Sequence, residues 1–310
     1  LYIIVLYMDN IYIEQLHNLC MLLSTPLVSC CISTWNRVDD LRKCVESIQS
    51  QSYPNIEIVI VDNCSTDGTF EYCMGLGCTY HRMKDSKSTA METLNLAFSM
   101  ASGEYILVLD DDAKLVNNNS LMLAVNYMED NPQTFSIAYN IPGNTEYGQL
   151  NDRNCVPEFC GAVALMRRSI GEMLNWYDET LYIYGNELDL CIRAYIRGYT
   201  TVYLHDCIAS HVKSMNSRSN YIRHKYTLKN SLNAVIKYFG WKNRIKMTFI
   251  YGVGHVYYIL HTDCKLKLFR WWILWYIKSL FQMICINNVQ APQWIQDYYY
   301  ERLLHMVGLR

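Results

Sequence analysis

No C-x-x-C pair occurs among the thirteen cysteines of this 310-residue chain; apart from the adjacent Cys30 and Cys31, the nearest spacings are Cys73/Cys78 and Cys155/Cys160. That absence, with an odd cysteine count and no secretory leader carrying a cleavage site, argues against a zinc ribbon or a disulfide framework. Reduced, mostly buried thiols in a cytosolic protein are expected instead. No internal repeat or low-complexity tract is present. The 19-residue apolar run 268–286 carries Arg270 and Lys278, so an uninterrupted membrane span is not expected there. The opening "LYIIVLY" is too short to cross a bilayer, and Asp9 and Glu14 follow it. Leu1 stands first, with Met8 and Met21 as alternative starts, so residues 1–25 are set apart as a lead-in of uncertain status.

Acidic residues are scarce in the last third. Residues 211–310 hold 15 Lys and Arg against 3 Asp and Glu, whereas residues 1–210 hold 12 against 26, a division hidden by the net charge of −2. A basic surface of this kind suits an anionic partner. Nucleic acid is not expected, because no recognised binding module accompanies the charge. At 51% hydrophobic residues the chain can build a large core plus a smaller appendage.

The best-defined site is the run Asp110-Asp111-Asp112 at the end of "EYILVL". A buried strand that delivers carboxylates at its C-terminal end makes a place for a hard divalent cation, Mg²⁺ or Mn²⁺, which bridges carboxylates to phosphates. A solvated acidic turn is the plain alternative. Apolar runs at 27–33, 56–61, 78–82 and 104–109 alternate with helical patterns at 39–51 and 89–101. This rhythm predicts a parallel, wound sheet flanked by helices. Ligands bind at strand carboxyl ends in such sheets. Here those ends carry Ser33 to Arg37, then Asp62 and Asn63, then the three aspartates. Further on, 134–141 reads as a strand, 142–157 as a polar loop and 158–169 as a strand. Residues 185–199 read as a helix capped by Asn186, 200–212 as one or two short strands, and the remainder as helices.

The segments "PLVSCCISTWNR", "LRKCVESIQSQSYPNIEIVIVDNCSTDGT", "LNLAFSMASGEYILVLDDDAKL", "FCGAVALMRRS", "YGNELDLCIRAYIRGY" and "ASHVKS" occur in series. Together they resemble glycosyltransferase family 2, across about residues 26–240. The resemblance implies a GT-A fold, a Rossmann-like wound mixed sheet flanked by helices, with residues 241–310 as a basic, aromatic-rich helical C-terminal region. It implies an inverting transfer of a hexosyl or deoxyhexosyl group from a nucleotide-diphosphate donor, UDP- or dTDP-linked, to a hydroxyl of a glycan or lipid-linked acceptor. Cell-surface polysaccharide synthesis is the expected setting.

The same resemblance assigns roles. Thr34, Asn36 and Arg37 match the first nucleotide-contacting loop, with Trp35 in place of the usual tyrosine. Asp62 matches the carboxylate that meets the nucleobase, a loop-capping role being the alternative. Asp112, with Asp110 and His211, would hold the Mn²⁺ or Mg²⁺. Asp111 would contact ribose or phosphate, and Gly161 would line the sugar pocket. His205 is a weaker competitor for His211, and a locally satisfied histidine is the plain alternative. Glu187 matches the catalytic base and Asp189 the second acid. Residues i and i+2 on a helix point about 200° apart, so both cannot face one substrate; helix-start acids favoured by the dipole are the alternative.

The loop "KDSKSTAMETLN" departs from the family's glycine-rich pattern, although Asn95 matches, which leaves the donor open. A nucleotidyltransferase is a second reading, disfavoured because "STWNRVDD" lacks glycine. A catalytically inactive family member acting as a binding protein is a third. The runs 247–260 and 268–286 are rich in Trp, Tyr and aliphatics but broken by Arg270 and Lys278. They suit helices lying on the inner face of the cytoplasmic membrane, or an ordinary buried helical subdomain.

Overall fold

The computed structural model describes residues 25–143, 154–183, 185–212, 220–262, 265–285 and 290–306. The lead-in up to residue 24 and most of the 142–157 loop lie outside the described residues. The first half is a strand–helix series. It runs β1 (Val28–Thr34), α1 (Val38–Gln49), β2 (Ile56–Asp62), α2 (Thr69–Leu76), β3 (Thr79–Arg82), α3 (Ala90–Met100) and β4 (Tyr105–Leu109). A short β5 (Ala113–Leu115) and α4 (Ser120–Asp130) follow, then β6 (Thr134–Asn140), β7 (Val163–Arg167) and α5 (Arg168–Leu174). The series closes with α6 (Asn186–Ile196) and the long β8 (Thr200–His211). Four helices end the chain: α7 (Asn220–Tyr238), α8 (Trp241–Leu260), α9 (Lys265–Cys285) and α10 (Gln293–Met306).

The eight strands form one mixed sheet in the order β3-β2-β1-β4-β7-β6-β8-β5. The half built from β3, β2, β1 and β4 is parallel, as the strand–helix rhythm predicts. Strand β7 is inserted antiparallel between β4 and β6. The central strands read as unbroken apolar runs because both faces are covered. Val59, Val61, Ile106 and Val108 join α3, α5, α6 and the C-terminal helices on one side. Ile60, Leu107 and Leu109 join α1 and α4 on the other. Each such side chain contributes about 1.5–3 kcal/mol by leaving water. Helix α1 buries Leu41, Cys44, Val45 and Ile48 at helical spacing. Helix α3 starts at a capping box, in which Thr89 Oγ1 accepts from Glu92 N at 3.2 Å and Glu92 Oε2 accepts from Thr89 N at 2.6 Å. The cysteines from Cys30 to Cys207 are free thiols.

Two sequence expectations change and a third is narrowed. The predicted strand over 158–169 is a strand only from Val163, and its end turns directly into α5. Asn186 does not cap α6. Gly185 holds that place at φ 79°, in the left-handed region that glycine enters without a Cβ penalty, and Asn186 is the first, buried helical residue. The segment 200–212, read as one or two short strands, is a single strand of 12 residues. A bulge interrupts its pairing: Tyr139 faces Leu204, but the next residue, Asn140, faces Ile208.

Candidate active site

Strand β4 ends at Leu109, and the next three residues turn back on themselves. The Asp110 amide donates to the Ala162 carbonyl at 2.9 Å, and the Ala113 amide donates to the Asp110 carbonyl at 3.0 Å. This tight return feeds β5, which pairs antiparallel with the end of β8, Ala113 opposite His211. The ladder therefore carries His211 across about a hundred residues of sequence to the aspartates. His211 Nε2 stands 3.1 Å from Asp112 Oδ1 and 3.8 Å from Asp110 Oδ2. Asp110, Asp112 and His211 each offer one ligand atom within 4.8 Å of the others. Two carboxylate oxygens and an imidazole nitrogen are a donor set that fits Mn²⁺ or Mg²⁺. His205, the weaker competitor, falls in the β8 bulge and is thrown outward, where it meets the exposed Asp206 at 3.4 Å and the Tyr203 ring edge-on.

Asp111 faces the other way. Its Oδ2 accepts from Thr34 Oγ1 at 2.8 Å and its Oδ1 from Arg37 Nη1 at 2.9 Å. The same Arg37 nitrogen reaches Asp112 Oδ2 at 3.1 Å. Arg37 thus offsets the mutual repulsion of the acidic run. Burial, then the charges of Asp112 and Asp111, push the Asp110 carboxyl up to about 7. Two of the three residues expected in the first loop, Thr34 and Arg37, brace the aspartates. The third, Asn36, adopts φ 53° and ties two loops together: its amide donates to Ser65 Oγ at 2.8 Å and its Oδ1 accepts from Thr66 N at 2.7 Å. Trp35 between them is 56% exposed, an open aromatic face at the cleft edge.

Asp62 is fully buried at the end of β2. Its Oδ1 accepts from Ser65 N at 2.9 Å and its Oδ2 from Tyr80 Oη at 2.8 Å. The loop-capping contact is therefore present. Tyr80 is a partner that the linear sequence does not announce, since only the parallel β2–β3 pairing sets it beside Asp62. Asn95 holds another loop, donating to the Tyr177 carbonyl and to Glu179 Oε1, each at 2.9 Å.

Glu187 lies in the first turn of α6. It packs against Gly161, where an added Cβ would fall 2.0 Å from Glu187 Oε1. Gly161 adjoins Ala162, whose carbonyl fixes Asp110, so a glycine beside the aspartate turn opens room for the carboxylate. Burial, joined by the charges of Glu158 and Asp110, pushes Glu187 up to about 7. Asp189 is buried and committed elsewhere. It accepts from Arg193 Nε at 2.7 Å, Lys237 Nζ at 2.7 Å and Tyr238 Oη at 2.5 Å. The two acids diverge as their i, i+2 spacing predicts, and Asp189 clamps α6 to α7. Lys237 and Tyr238 were not legible as its partners from sequence.

The cleft therefore gathers a cation-type donor set, a carboxylate of raised pKa and an exposed aromatic ring at the carboxyl end of a parallel half-sheet. The fold is shared with solved glycosyltransferases. The mannosyltransferase PcManGT from Pyrobaculum calidifontis, solved with GDP-Man and Mn²⁺, superposes with a TM-score of 0.56 at 19% identity, covering 75% of this chain and 73% of that one. Among curated relatives, the glycosyltransferase GlyG of Streptococcus pneumoniae serotype 4 is 36% identical over 92 residues, 28% of this chain and 31% of GlyG. WfaP of Escherichia coli is 33% identical over 119 residues, 36% of this chain. It is a UDP-Glc:α-D-GlcNAc-diphosphoundecaprenol β-1,3-glucosyltransferase, and the match spans 44% of its length. The chain thus spans less than half the length of either relative. The model of glycosyl transferase family 2 matches residues 29–185, from the first strand through the glycine that opens α6, and the chain belongs to that family.

Proposed function

We propose that the chain is an inverting, metal-dependent glycosyltransferase. It moves a sugar from a nucleoside-diphosphate donor to a hydroxyl of a glycan or lipid-linked acceptor in surface-polysaccharide synthesis. The observation that carries this reading is the convergence of Asp110, Asp112 and His211 at the end of β4, with Glu187 packed on Gly161 beside the same turn. Asp112, Asp110 and His211 would hold the cation, which, when bound, neutralises the charge that develops on the departing diphosphate. Arg37 and Thr34 keep Asp111 fixed, so the acidic turn is preorganised. Trp35 offers its face to the base, alongside the loop that Asp62 and Asn36 hold in place.

Glu187 is the general base. A carboxyl poised near neutrality takes the proton of an acceptor hydroxyl as that oxygen attacks the anomeric carbon opposite the nucleotide. The new C–O bond forms as the bond to the diphosphate breaks, and the anomeric configuration inverts. With Asp189 bound to Arg193, Lys237 and Tyr238, Glu187 works as a single base, which suits direct displacement. Asp189 keeps the start of α6 in register.

A lipid surface is the proposed location of the acceptor, on the cytoplasmic face of the membrane. Among the described residues no helix is long and apolar enough to cross a bilayer. Yet α8 exposes Trp241, Ile245, Phe249, Val253, Tyr257 and Leu260, a stripe at helical spacing, and α9 exposes Leu274, Ile277 and Phe281. An apolar groove of about 730 Å³ runs between these helices. Lys242, Lys246, Lys267 and Arg270 belong to the same two helices. Apolar side chains flanked by cations match an anionic lipid interface. The test is a panel of nucleotide sugars with Mn²⁺ or Mg²⁺, scored for nucleoside diphosphate release. Turnover with at least one UDP- or dTDP-sugar is expected. Absence of both turnover and metal-dependent nucleotide binding would refute the reading.

A further inference from the structure

Beside α6, on the side away from the aspartate turn, lies a second cavity of about 580 Å³. Its floor is the start of α6, Gly185 and Asp189, the residues on either side of the Glu187 turn. Its walls come from α7 and α9 and carry Lys225, Lys229 and Lys278 together with Trp271 and Trp275. On α9 the lining positions 271, 275, 278 and 282 form one helical face. The apolar groove uses the adjoining stripe, 272, 276, 280 and 283. One helix therefore shows a cationic cavity on one side and a lipid-type groove on the next.

Among the described residues no carboxylate comes within ion-pair distance of Lys225, Lys229 or Lys278. The cavity's own acids, Asp178 and Asp189, are both engaged by Lys237, at 3.4 and 2.7 Å. Lys225 Nζ rests over the rings of Tyr226 and Trp271, at 5.6 and 5.3 Å from their centroids. Lys229 Nζ lies 5.7 Å from the Tyr226 ring. Burial, then the neighbouring charges of Lys225 and Lys278, push the Lys229 ammonium down. Asp178 offsets the repulsion at Lys229 only in part, and with Asp178 and Asp189 ion-paired to Lys237 the three cations form a site that favours an anion. The N-terminus of α6 adds the positive end of its dipole. Trp271 and Trp275 stack at 5.6 Å with only 6° between their planes, a flat apolar platform of the kind that meets a sugar ring face.

We infer that this cavity is the acceptor subsite for a phosphate- or diphosphate-linked glycan, with Lys225, Lys229 and Lys278 on the phosphate oxygens and the Trp271–Trp275 pair against the adjoining sugar. The inference rests on the reading of the chain as a glycosyltransferase and deepens it. The lipid tail would leave along the apolar stripe of α9, and the glycan would extend past Gly185 toward Glu187. The phosphate is thus the anchor that sets which hydroxyl reaches the base.

Binding of inorganic pyrophosphate to the full chain in metal-free buffer, measured by titration calorimetry, tests it. Without a cation the aspartate turn repels the probe, so the lysine cavity is the site observed. The K225Q/K229Q/K278Q variant is expected to bind about tenfold or more weakly, and K225R/K229R/K278R to retain binding, with unchanged circular dichroism in both. Equal affinity in the glutamine variant would overturn the proposal. So would intact pyrophosphate binding combined with lost flotation on phosphatidylglycerol vesicles, which would assign the lysines to bulk headgroups. Pyrophosphate binding that depends on the lysines, without turnover on any donor, would leave the cavity standing and remove the catalytic reading. Turnover with lysine-independent pyrophosphate binding would do the reverse.

Discussion

The wound sheet and the C-terminal helices treat apolar surface in opposite ways. In the sheet half, Val59, Ile60, Val61, Ile106, Leu107 and Val108 are all fully buried, and polar groups concentrate at the strand ends. In α8 and α9, side chains as large as Phe249, Leu274 and Phe281 are 70%, 73% and 69% exposed. A water-soluble core element does not leave so much contiguous apolar surface uncovered unless something else covers it. Yet the helices are not detached. Met247, Tyr251 and Ile295 share a buried cluster with Leu190, Ile192 and the sheet, and Arg244 is buried with its guanidinium on the Phe239 carbonyl. One face of the helical region is core and the other resembles an interface. On the proposed reading, chemistry and membrane location are carried by separate surfaces joined through α6 and α7.

If the two surfaces are separate, each can be broken alone. The largest effect is expected from Asp112→Asn. Metal-dependent donor binding should disappear and nucleoside diphosphate release should fall by roughly 10³-fold or more, while flotation on anionic vesicles is unchanged. Glu187→Gln should reduce transfer by about 10²- to 10⁴-fold and leave donor affinity intact; near-normal rates would assign the base to another acid. In the parent enzyme kcat/KM should rise from acid pH and level off above about 7, where Glu187 has lost its proton.

The same shift has a stability consequence. Glu187 holds its proton more tightly folded than unfolded, so the native state is penalised as pH rises from about 4.5 through about 7. Glu187→Gln removes that penalty. Its melting midpoint should exceed the parent's at pH 8 and match it near pH 4, which differential scanning calorimetry can follow. Gly161→Ala comes next. Its Cβ would occupy the position of Glu187 Oε1, so transfer should fall about tenfold with little change in donor affinity. The smallest catalytic effect is expected from the paired change Phe249→Ser and Phe281→Ser. Vesicle flotation should drop severalfold, while turnover on a detergent-soluble acceptor and the melting midpoint stay near the parent's, because both side chains are already in water.

Much of the catalytic half was legible in the chain. Apolar runs flanked by helical patterns marked the parallel strands, because strands covered on both faces need continuous hydrophobicity. The aspartates stood out as a carboxylate run at the end of a buried strand, and Asp62 and Glu187 through the family resemblance. Less legible were elements whose identity depends on distant partners. The three-residue β5 has no pattern of its own and exists because β8 pairs with it. The 158–169 run reads as a single strand because the break into α5 follows from packing under α6. Gly161 was matched by resemblance to the sugar pocket, and its neighbour is the Glu187 carboxylate. Asp189, matched by resemblance to the second acid, is held by Lys237 and Tyr238, partners some 50 residues later that its own segment does not announce.

The sequence by itself determined the strand–helix rhythm, the acidic turn after the fourth strand and the charge imbalance of the last third, since each is a local property of composition and spacing. Only the tertiary structure decided which residues act together. The β5–β8 ladder brings His211 rather than His205 to Asp112, and the helix period turns Glu187 toward Gly161 and Asp189 toward Arg193. The crossing of α7 and α9 gathers Lys225, Lys229 and Lys278 around one cavity. Contacts between residues far apart in the chain are set by register and packing, and neither is written at a single position.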